Sequence, residues 1–395
     1  MSDGRPKVAV VRLGDLLIDS CYGTSEPNTA DGTTPVLGIP HVRGGRVRLT
    51  DLPRTQLPDA ECAKLALRSG DLLLTRTNSH ELVGQTGLVE GDTDAVFASY
   101  LVRLRVDVER VDPRYLNYWM NSPAGRRQIR RIITRAVGQA NVNPTEFRRH
   151  VHVPLPAMDE QRHVAAVLAT WDAAIEKTEL LVGLKQRHRL GLFVSAAAQP
   201  TAHSVSLGDL CVAGRGGTLS KGDLAAEGSR RCILYGELHT SYCEVATRIL
   251  SRTNEAMDIA TAGGEILMPS ASETAEDLAS ATAVQQAGVL LGGDMIVLRP
   301  KQRHLYEPAY LAHYITHMRR REVASLAQGN SVAHLYGRDV LRIKVSLPSF
   351  ERQCSVAELM SCMQAEIGHL ESLAAGYTKQ RQGLMQLLFD DETGR

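Results

Sequence analysis

The chain contains no CxxC pair: its seven cysteines, Cys21, Cys62, Cys211, Cys232, Cys243, Cys354 and Cys362, are scattered over 395 residues. That spacing argues against a zinc ribbon or a disulfide framework and leaves reduced, mostly buried thiols as the expectation. No run approaches the 18 or so apolar residues that cross a bilayer, and Asp3, Arg5 and Lys7 precede no apolar leader core. A cytoplasmic chain without membrane contact is expected. Aromatic residues are scarce at 5%, and 45 Lys and Arg against 44 Asp and Glu leave a formal charge of only +1. With no bulk charge to attract a polyanion, a nucleic-acid surface has to arise from local clustering. At 43% hydrophobic and 23% charged residues the composition is that of an ordinary core-forming chain.

Catalytic signatures are missing as well. The glycine-rich run Ala213-Gly214-Arg215-Gly216-Gly217-Thr218-Leu219-Ser220-Lys221 lacks Walker A spacing and reads as a mobile loop. His313 and His317 stand i, i+4 on an expected helix, yet no HExxH glutamate and no third ligand lies nearby in sequence, so no metal is assigned. Asp59, Glu61 and Lys64 echo the acidic-acidic-lysine grouping of metal-dependent nucleases, but with Glu-x-x-Lys spacing in a stretch read as loop. No GxGxxG opens a helix after a strand, and Asn143-Pro144-Thr145-Glu146 is not the Asn-Pro-Pro-aromatic motif of amino-methyltransferases. What remains is a chain suited to binding and positioning.

What the chain has is an internal repeat. Leu13-Gly14-Asp15-Leu16 returns as Leu207-Gly208-Asp209-Leu210. Gly70-Asp71-Leu72-Leu73-Leu74, a turn and a buried strand, returns as Gly264-Glu265-Ile266-Leu267-Met268, and the strand Leu101 to Arg105 as Met295 to Arg299. Pro113-Arg114-Tyr115-Leu116 and Pro308-Ala309-Tyr310-Leu311 each open a helix with proline in its first turn. Gly138-Gln139-Ala140-Asn141-Val142 loosely matches Gly329-Asn330-Ser331-Val332, and Val153-Pro154-Leu155-Pro156 answers Val345-Ser346-Leu347-Pro348. Landmarks kept in order at a nearly constant offset mark a duplication of one mixed α/β unit rather than an array.

Each half ends in one long periodic segment. From Pro156 to Gln199, Val164, Leu168, Trp171, Ile175, Thr178, Val182, Leu192 and Ala196 recur at helical seam spacing, interrupted by Lys185 and Arg189. From Val356 to Phe389 the seam is Val356, Met360, Met363, Ile367, Leu370, Ala374, Tyr377, Leu384 and Leu388, interrupted by Arg381. A helix of about 55 to 60 Å exceeds what one small domain can cover, so the two segments are expected to pair antiparallel.

Binding features cluster locally. Arg110, Arg114, Arg126, Arg127, Arg130, Arg131, Arg135, Arg148 and Arg149 face only Asp112 and Glu146 between positions 110 and 150. Arg319, Arg320 and Arg321 lie in the corresponding helix of the second half. Such clusters are either solvated helical faces or phosphate contacts, for which Arg127, Arg130, Arg131 and Arg320 are the candidates. Base edges are read by polar side chains on rigidly held loops. Arg76, Thr77, Asn78 and Ser79 follow a buried strand directly, and Ser270 and Ser272 take the same place in the second half with different chemistry. Arg43, Arg46 and Arg48 flank Gly44-Gly45, with Arg215 and Lys221 as analogues. Asn141, Asn330 and Ser331 complete the candidates.

The duplication, the Gly-Asp-Leu-Leu-Leu strand entry and the run from Val153-Pro154-Leu155-Pro156 to Asp159-Glu160-Gln161 before a long helix carry a resemblance. So do Lys185-Gln186-Arg187 to Gly191-Leu192 and its echo Lys379-Gln380-Arg381-Gln382-Gly383-Leu384. Over nearly its whole length the chain resembles the DNA-specificity subunits of type I restriction-modification systems. The resemblance implies two mixed α/β target-recognition domains related by an internal repeat, separated by two long antiparallel helices forming a coiled coil. The partition would be 1–155, 156–200, 201–350 and 351–395. It also implies a non-catalytic subunit whose halves each read one segment of a bipartite double-stranded DNA target. The helices would set the spacer and dock methyltransferase (modification) subunits, with ATP-dependent restriction subunits joining for cleavage. S-adenosylmethionine, ATP and Mg would then sit on those partners, with no cofactor on this chain. One departure is Arg352, where the second Glu-Gln pair of the pattern reads Arg352-Gln353, so that half is expected to dock its partner differently or to use Glu351. Two alternatives stay open: an enzyme with an unrecognised nuclease or methyltransferase site, and a structural coiled-coil adaptor without DNA contact.

Overall fold

The structure is a computed structural model that describes residues 8–79, 82–136, 139–198, 203–256, 259–302, 304–329 and 331–390. Backbone contacts divide the chain into two compact units, Met1–Thr178 with Ser372–Arg395, and Glu179–Glu371. The two units are built on corresponding sheets of different strand number.

In the first unit a six-stranded sheet begins Leu17–Tyr22, Leu101–Val106, Leu72–Thr75, Thr86–Leu88. In the second, a four-stranded sheet runs Cys211–Arg215, Met295–Pro300, Glu265–Pro269, Thr282–Val284. A side sheet follows in each: Thr34–Leu37 pairs parallel with Val96–Phe97, as Arg230–Ile233 does with Leu290–Leu291. A two-stranded clip closes both, with Ala9 opposite Leu155 and His203 opposite Leu347.

The turn before the buried strand shows why these residues recur. Gly70 and Gly264 have φ of 91° and 93°, a left-handed conformation that costs glycine little and other residues more. The acid that follows satisfies the turn: Asp71 accepts from Arg68 N at 2.9 Å, and Glu265 from Ala262 N and Gly263 N at 2.6 and 2.8 Å. Arg105 pairs with Asp71, and Arg299 lies 3.9 Å from Glu265. Along the strand, Leu72 and Leu74 enter one core and Leu73 another, an alternation repeated by Ile266 and Met268 against Leu267. Burying each such side chain contributes about 1.5 to 3 kcal/mol.

The long segments are continuous helices, Met158–Ala197 and Phe350–Asp390. In the first unit Trp171 meets Tyr377 edge-on at 5.7 Å, and Asp172 pairs with Arg381. In the second unit Lys185 reaches Glu366, and Gln186 reaches Glu371 at 3.3 Å. In the first unit Ala165 and Leu168 share a core with Met385 and Phe389 while Trp171 meets Tyr377, so positions rise along one helix as they fall along the other and the pairing is antiparallel. All nine seam residues from Val356 to Leu388 are buried or half-buried. Two of the three seam interruptions, Lys185 and Arg381, are cations held by a carboxylate of the other helix.

Each helix is fastened at its start by one glutamine. Gln161 donates to Pro156 O at 2.9 Å and accepts from Asp112 N at 2.9 Å; Gln353 donates to Pro348 O and accepts from Glu307 N, both at 2.9 Å. Asp112 and Glu307 in turn cap the helices that begin at Pro113 and Pro308. The departure at Arg352 falls on an exposed position, as does Glu160, and Gln353 makes the same two bonds as Gln161. Position 352 therefore leaves this fastening intact.

Three sequence expectations change. Asp59–Leu65 is a helix rather than a loop, begun after Pro58 with Asp59 and Glu61 in its first turn. Ala213 to Arg215 belong to a strand rather than a mobile loop; a Cβ on Gly216 would lie 2.0 Å from Gly292 O, so glycine lets the backbone just past this strand approach that just past Leu290–Leu291. Only Cys211 and Cys232 are buried, and burial pushes both thiols up to about 11; Cys243 and Cys362 are exposed. No helix among the described residues is long and apolar enough to cross a membrane.

Candidate nucleic-acid interface

The loop after each buried strand forms a short polar ribbon. In the first half Thr77–Asn78 pairs antiparallel with Gln139–Val142, placing Thr77 opposite Asn141, and the Thr77 hydroxyl donates to Asn141 Oδ1 at 2.6 Å. In the second half Ala271–Ser272 pairs with Ala333–His334, placing Ala271 opposite His334. The strand pairing and two flanking backbone bonds match, although the first ribbon has a third strand, Ile133–Ala136, that the second lacks among the described residues. Arg76 N donates to Tyr100 O and Val142 N to Arg76 O; Ser270 N donates to Asp294 O and Leu335 N to Ser270 O, all at 2.9 Å. The counterpart of Asn141 is therefore His334. The sequence match to Gly329-Asn330-Ser331-Val332 is out of register, because the second ribbon starts three residues farther on; Ser331 is an exposed residue before the ribbon, and Asn330 lies outside the described residues.

On this shared frame the side chains differ. In the first half the Arg76 guanidinium lies over the Tyr22 ring, 5.0 Å from its centroid. Register places Arg215 where Tyr22 stands, since Tyr22 pairs with Val102 and Arg215 with Ile296. There the second half opens into a hollow of about 710 Å³ lined by Arg215, Ser270, Asp294, His334, Tyr336 and Arg338, over glycines 214, 216, 217, 293 and 337. Asn78 accepts from Ser79 N, and Ser272 is half-buried in its ribbon strand. Lys221 is exposed on a short 3-10 turn and does not line the hollow.

A cleft of about 910 Å³ in the first unit gathers the helix Pro123–Arg131 and the end of the second long helix. Arg126, Arg127, Arg130, Lys379 and Arg381 line it, and no Asp or Glu among the described residues does. Arg126 donates to Val83 O at 2.8 Å; burial, with Arg130 nearby, brings its guanidinium down to about 10. Arg127, Arg130 and Arg131 are exposed, as is Arg320 in the second half. Arg43 is exposed at the end of an edge strand, whereas Arg46 pairs with Glu176 of the first long helix.

Glu244 is the residue that sequence proximity could not supply to His313 and His317. Its carboxylate hydrogen-bonds His317 Nε2 at 2.5 Å, lies 3.7 Å from His313 Nδ1, and takes an ion pair from Arg189 at 3.2 Å. The three acceptor or ligand atoms stand within 4.8 Å of one another. A π-helical segment, Tyr314–Met318, carries His317 into the group. Burial alone would raise the Glu244 carboxyl, but the His317 bond and the charges of His313 and Arg189 hold it well below the usual range; burial holds His313 down to about 4. With the Arg189 guanidinium already neutralising the carboxylate, the group works as an ion-paired fastening of the first long helix to the second domain. Phe193, one turn on, packs against Tyr310, His313 and His317.

The fold is similar to those of solved specificity subunits. Over 98% of both chains the fold matches the crystal structure of the type I restriction-modification system S subunit from M. genitalium, with TM-score 0.62 and 15% identity. Curated relatives include the type I restriction enzyme EcoKI specificity subunit of Escherichia coli K12, 29% identical over 144 residues, and the StySPI specificity subunit of Salmonella potsdam, 27% identical over 160 residues. These matches cover 36% and 38% of this chain and about a third of each relative's length, 31% and 33%. No family model matches the chain. Its curated homologues are type I restriction enzyme specificity subunits, and its fold is that of an S subunit.

Proposed function

We propose that this chain is the sequence-reading subunit of a type I restriction-modification complex, each half reading one segment of a bipartite duplex target. The observation that carries it is the pair of polar ribbons: one strand pairing, with the same two flanking backbone bonds, displays different side chains in the two halves. Reading demands a rigid frame and variable side chains, whereas a bare adaptor needs neither. The acid-free cleft with Arg127, Arg130 and Lys379 would hold phosphates and supply affinity without sequence preference. The long helices would set the separation of the two segments and dock the modification subunits, for which Leu180, Leu184 and Leu387 offer exposed apolar surface. Catalysis would rest with those subunits, where S-adenosylmethionine is consumed and a base must leave the duplex stack. ATP and Mg would serve the restriction subunits, and the complex would act in the cytoplasm as host defence.

The isolated chain incubated with duplex DNA and labelled S-adenosylmethionine should transfer no methyl group, and adding modification subunits should restore transfer at one bipartite sequence. Turnover by the chain alone would overturn the division of labour. Binding of the complex to random duplex that stays flat from low to moderate salt would count against the phosphate role.

A further inference from the structure

Resting on the DNA-reading role proposed above, we infer that Arg76 stacked on Tyr22 and Arg338 stacked on Tyr336 are specificity-determining residues, one per half, each reading a guanine edge. Both guanidiniums border the ribbon of their own half. Arg76 precedes Thr77 and is tied through its backbone to Tyr100 and Val142. Arg338 lies in the hollow with Ser270, Asp294 and His334.

The two stacks differ from the other arginine-on-ring contacts in what the cation already touches. Arg103, over Phe97, pairs with Asp19; Arg381, over Tyr118, pairs with Asp172; Arg319, over Tyr314, donates to Lys344 O at 2.7 Å. Arg76 has no carboxylate within ion-pair distance among the described residues, and its Nε is buried without a hydrogen-bond partner. Arg338 makes only a long ion pair with its neighbour Asp339, 3.7 Å and beyond hydrogen-bond distance, and its side chain is 75% exposed. The rings beneath are also open, Tyr22 at 49% and Tyr336 at 40%. A guanidinium held over a ring is restrained in its motion and can still offer two N–H donors to the O6 and N7 acceptors of guanine.

The halves build this device from different frame positions. Tyr22 and Arg76 correspond to Arg215 and Ser270, where no ring is available. In the second half the stack comes instead from the turn at Tyr336 to Arg338, whose counterparts in the first are Asn143 and Thr145. Each guanidinium thus approaches from a different part of the frame, and the guanine falls at a different step of each segment.

The test uses the full chain assembled with its modification subunits and a randomised duplex library. Wild type should select two segments. Arg76→Ala should relax one guanine position in one segment by roughly 5- to 150-fold and leave the other segment intact, which also reports that the chain is folded. Arg338→Ala should do the converse. Arg76→Lys and Arg338→Lys should retain overall affinity without restoring discrimination, since an ammonium cannot make the two-pronged contact. The inference is overturned if both variants select the wild-type sequences, if the relaxed position is not guanine, or if affinity falls evenly across all sequences, as loss of a phosphate contact would cause. A wild-type complex that selects no sequence would instead sink the DNA-reading role itself.

Discussion

The two halves hold their stretch of the first long helix with ion pairs of opposite polarity. In the first, Arg46, on the strand next to the outermost strand Val42–Arg43, takes Glu176 of the helix, with side chains 40% and 65% exposed. In the second, Glu244 beside the equivalent position takes Arg189 of the helix, at 8% and 13%. The positions correspond because Arg46 bridges in parallel to Leu88 as Val245 does to Ala283. Duplication therefore kept the backbone and reversed the charges, and it moved the second pair inward, where the histidines and Phe193 seal it. An exposed pair contributes about 0 to 1 kcal/mol, whereas breaking a buried one costs about 3 to 5 because a charge is left stranded.

The sharpest way to break that contrast is Arg189→Ala, which should destabilise the second unit by about 3 to 5 kcal/mol in urea unfolding followed by hydrogen exchange. Arg46→Ala should cost the first unit no more than about 1 kcal/mol. Equal losses would mean the pairs are not in different environments. The glutamine fastenings make the opposite comparison. Gln161→Ala and Gln353→Ala should each cost about 1 to 3 kcal/mol, and by similar amounts, because each strands one backbone N–H and one carbonyl. A loss in one half alone would show that the fastening is not repeated.

Acid should separate the halves next. A folded-state pKa of about 4 for His313 lies below its ordinary 6.5, so the unfolded chain binds the proton first and stability falls as pH drops through that window. Glu244, held below the ordinary carboxyl range, adds a further loss below about 4.5. Exchange protection in the second unit should decline from about pH 6.5 to 4 by about 2 to 3 kcal/mol more than in the first, and His313→Gln should flatten the upper part of the decline. The smallest effect belongs to Arg352→Glu, which restores the acid of the first half at an exposed position and should change stability by under about 0.5 kcal/mol.

How much of this was legible in the chain depends on the range of the interaction. The long helices and the duplication were, because seam spacing and the Gly70 and Gly264 turns are local signals that survive in order. The pairing of Lys185 with Glu366 was not, since periodicity marks a seam without naming what crosses it. Glu244 was invisible to a search around His313 and His317 because a sheet edge brings it there. His334 was hidden by a similarity of letters at 329 to 332 that the ribbon register overrides. Tyr22, Tyr336 and Arg338 passed unnoticed because stacking leaves no spacing pattern. Arg46 looked like a free cation only because Glu176 lies on another element.

The central claim is that one duplicated frame reads two different segments. Genome-wide mapping of methylated adenines in a host carrying this chain and its modification subunits tests it most directly. Two short, dissimilar segments separated by a nonspecific spacer of fixed length are predicted. A single uninterrupted motif would contradict it.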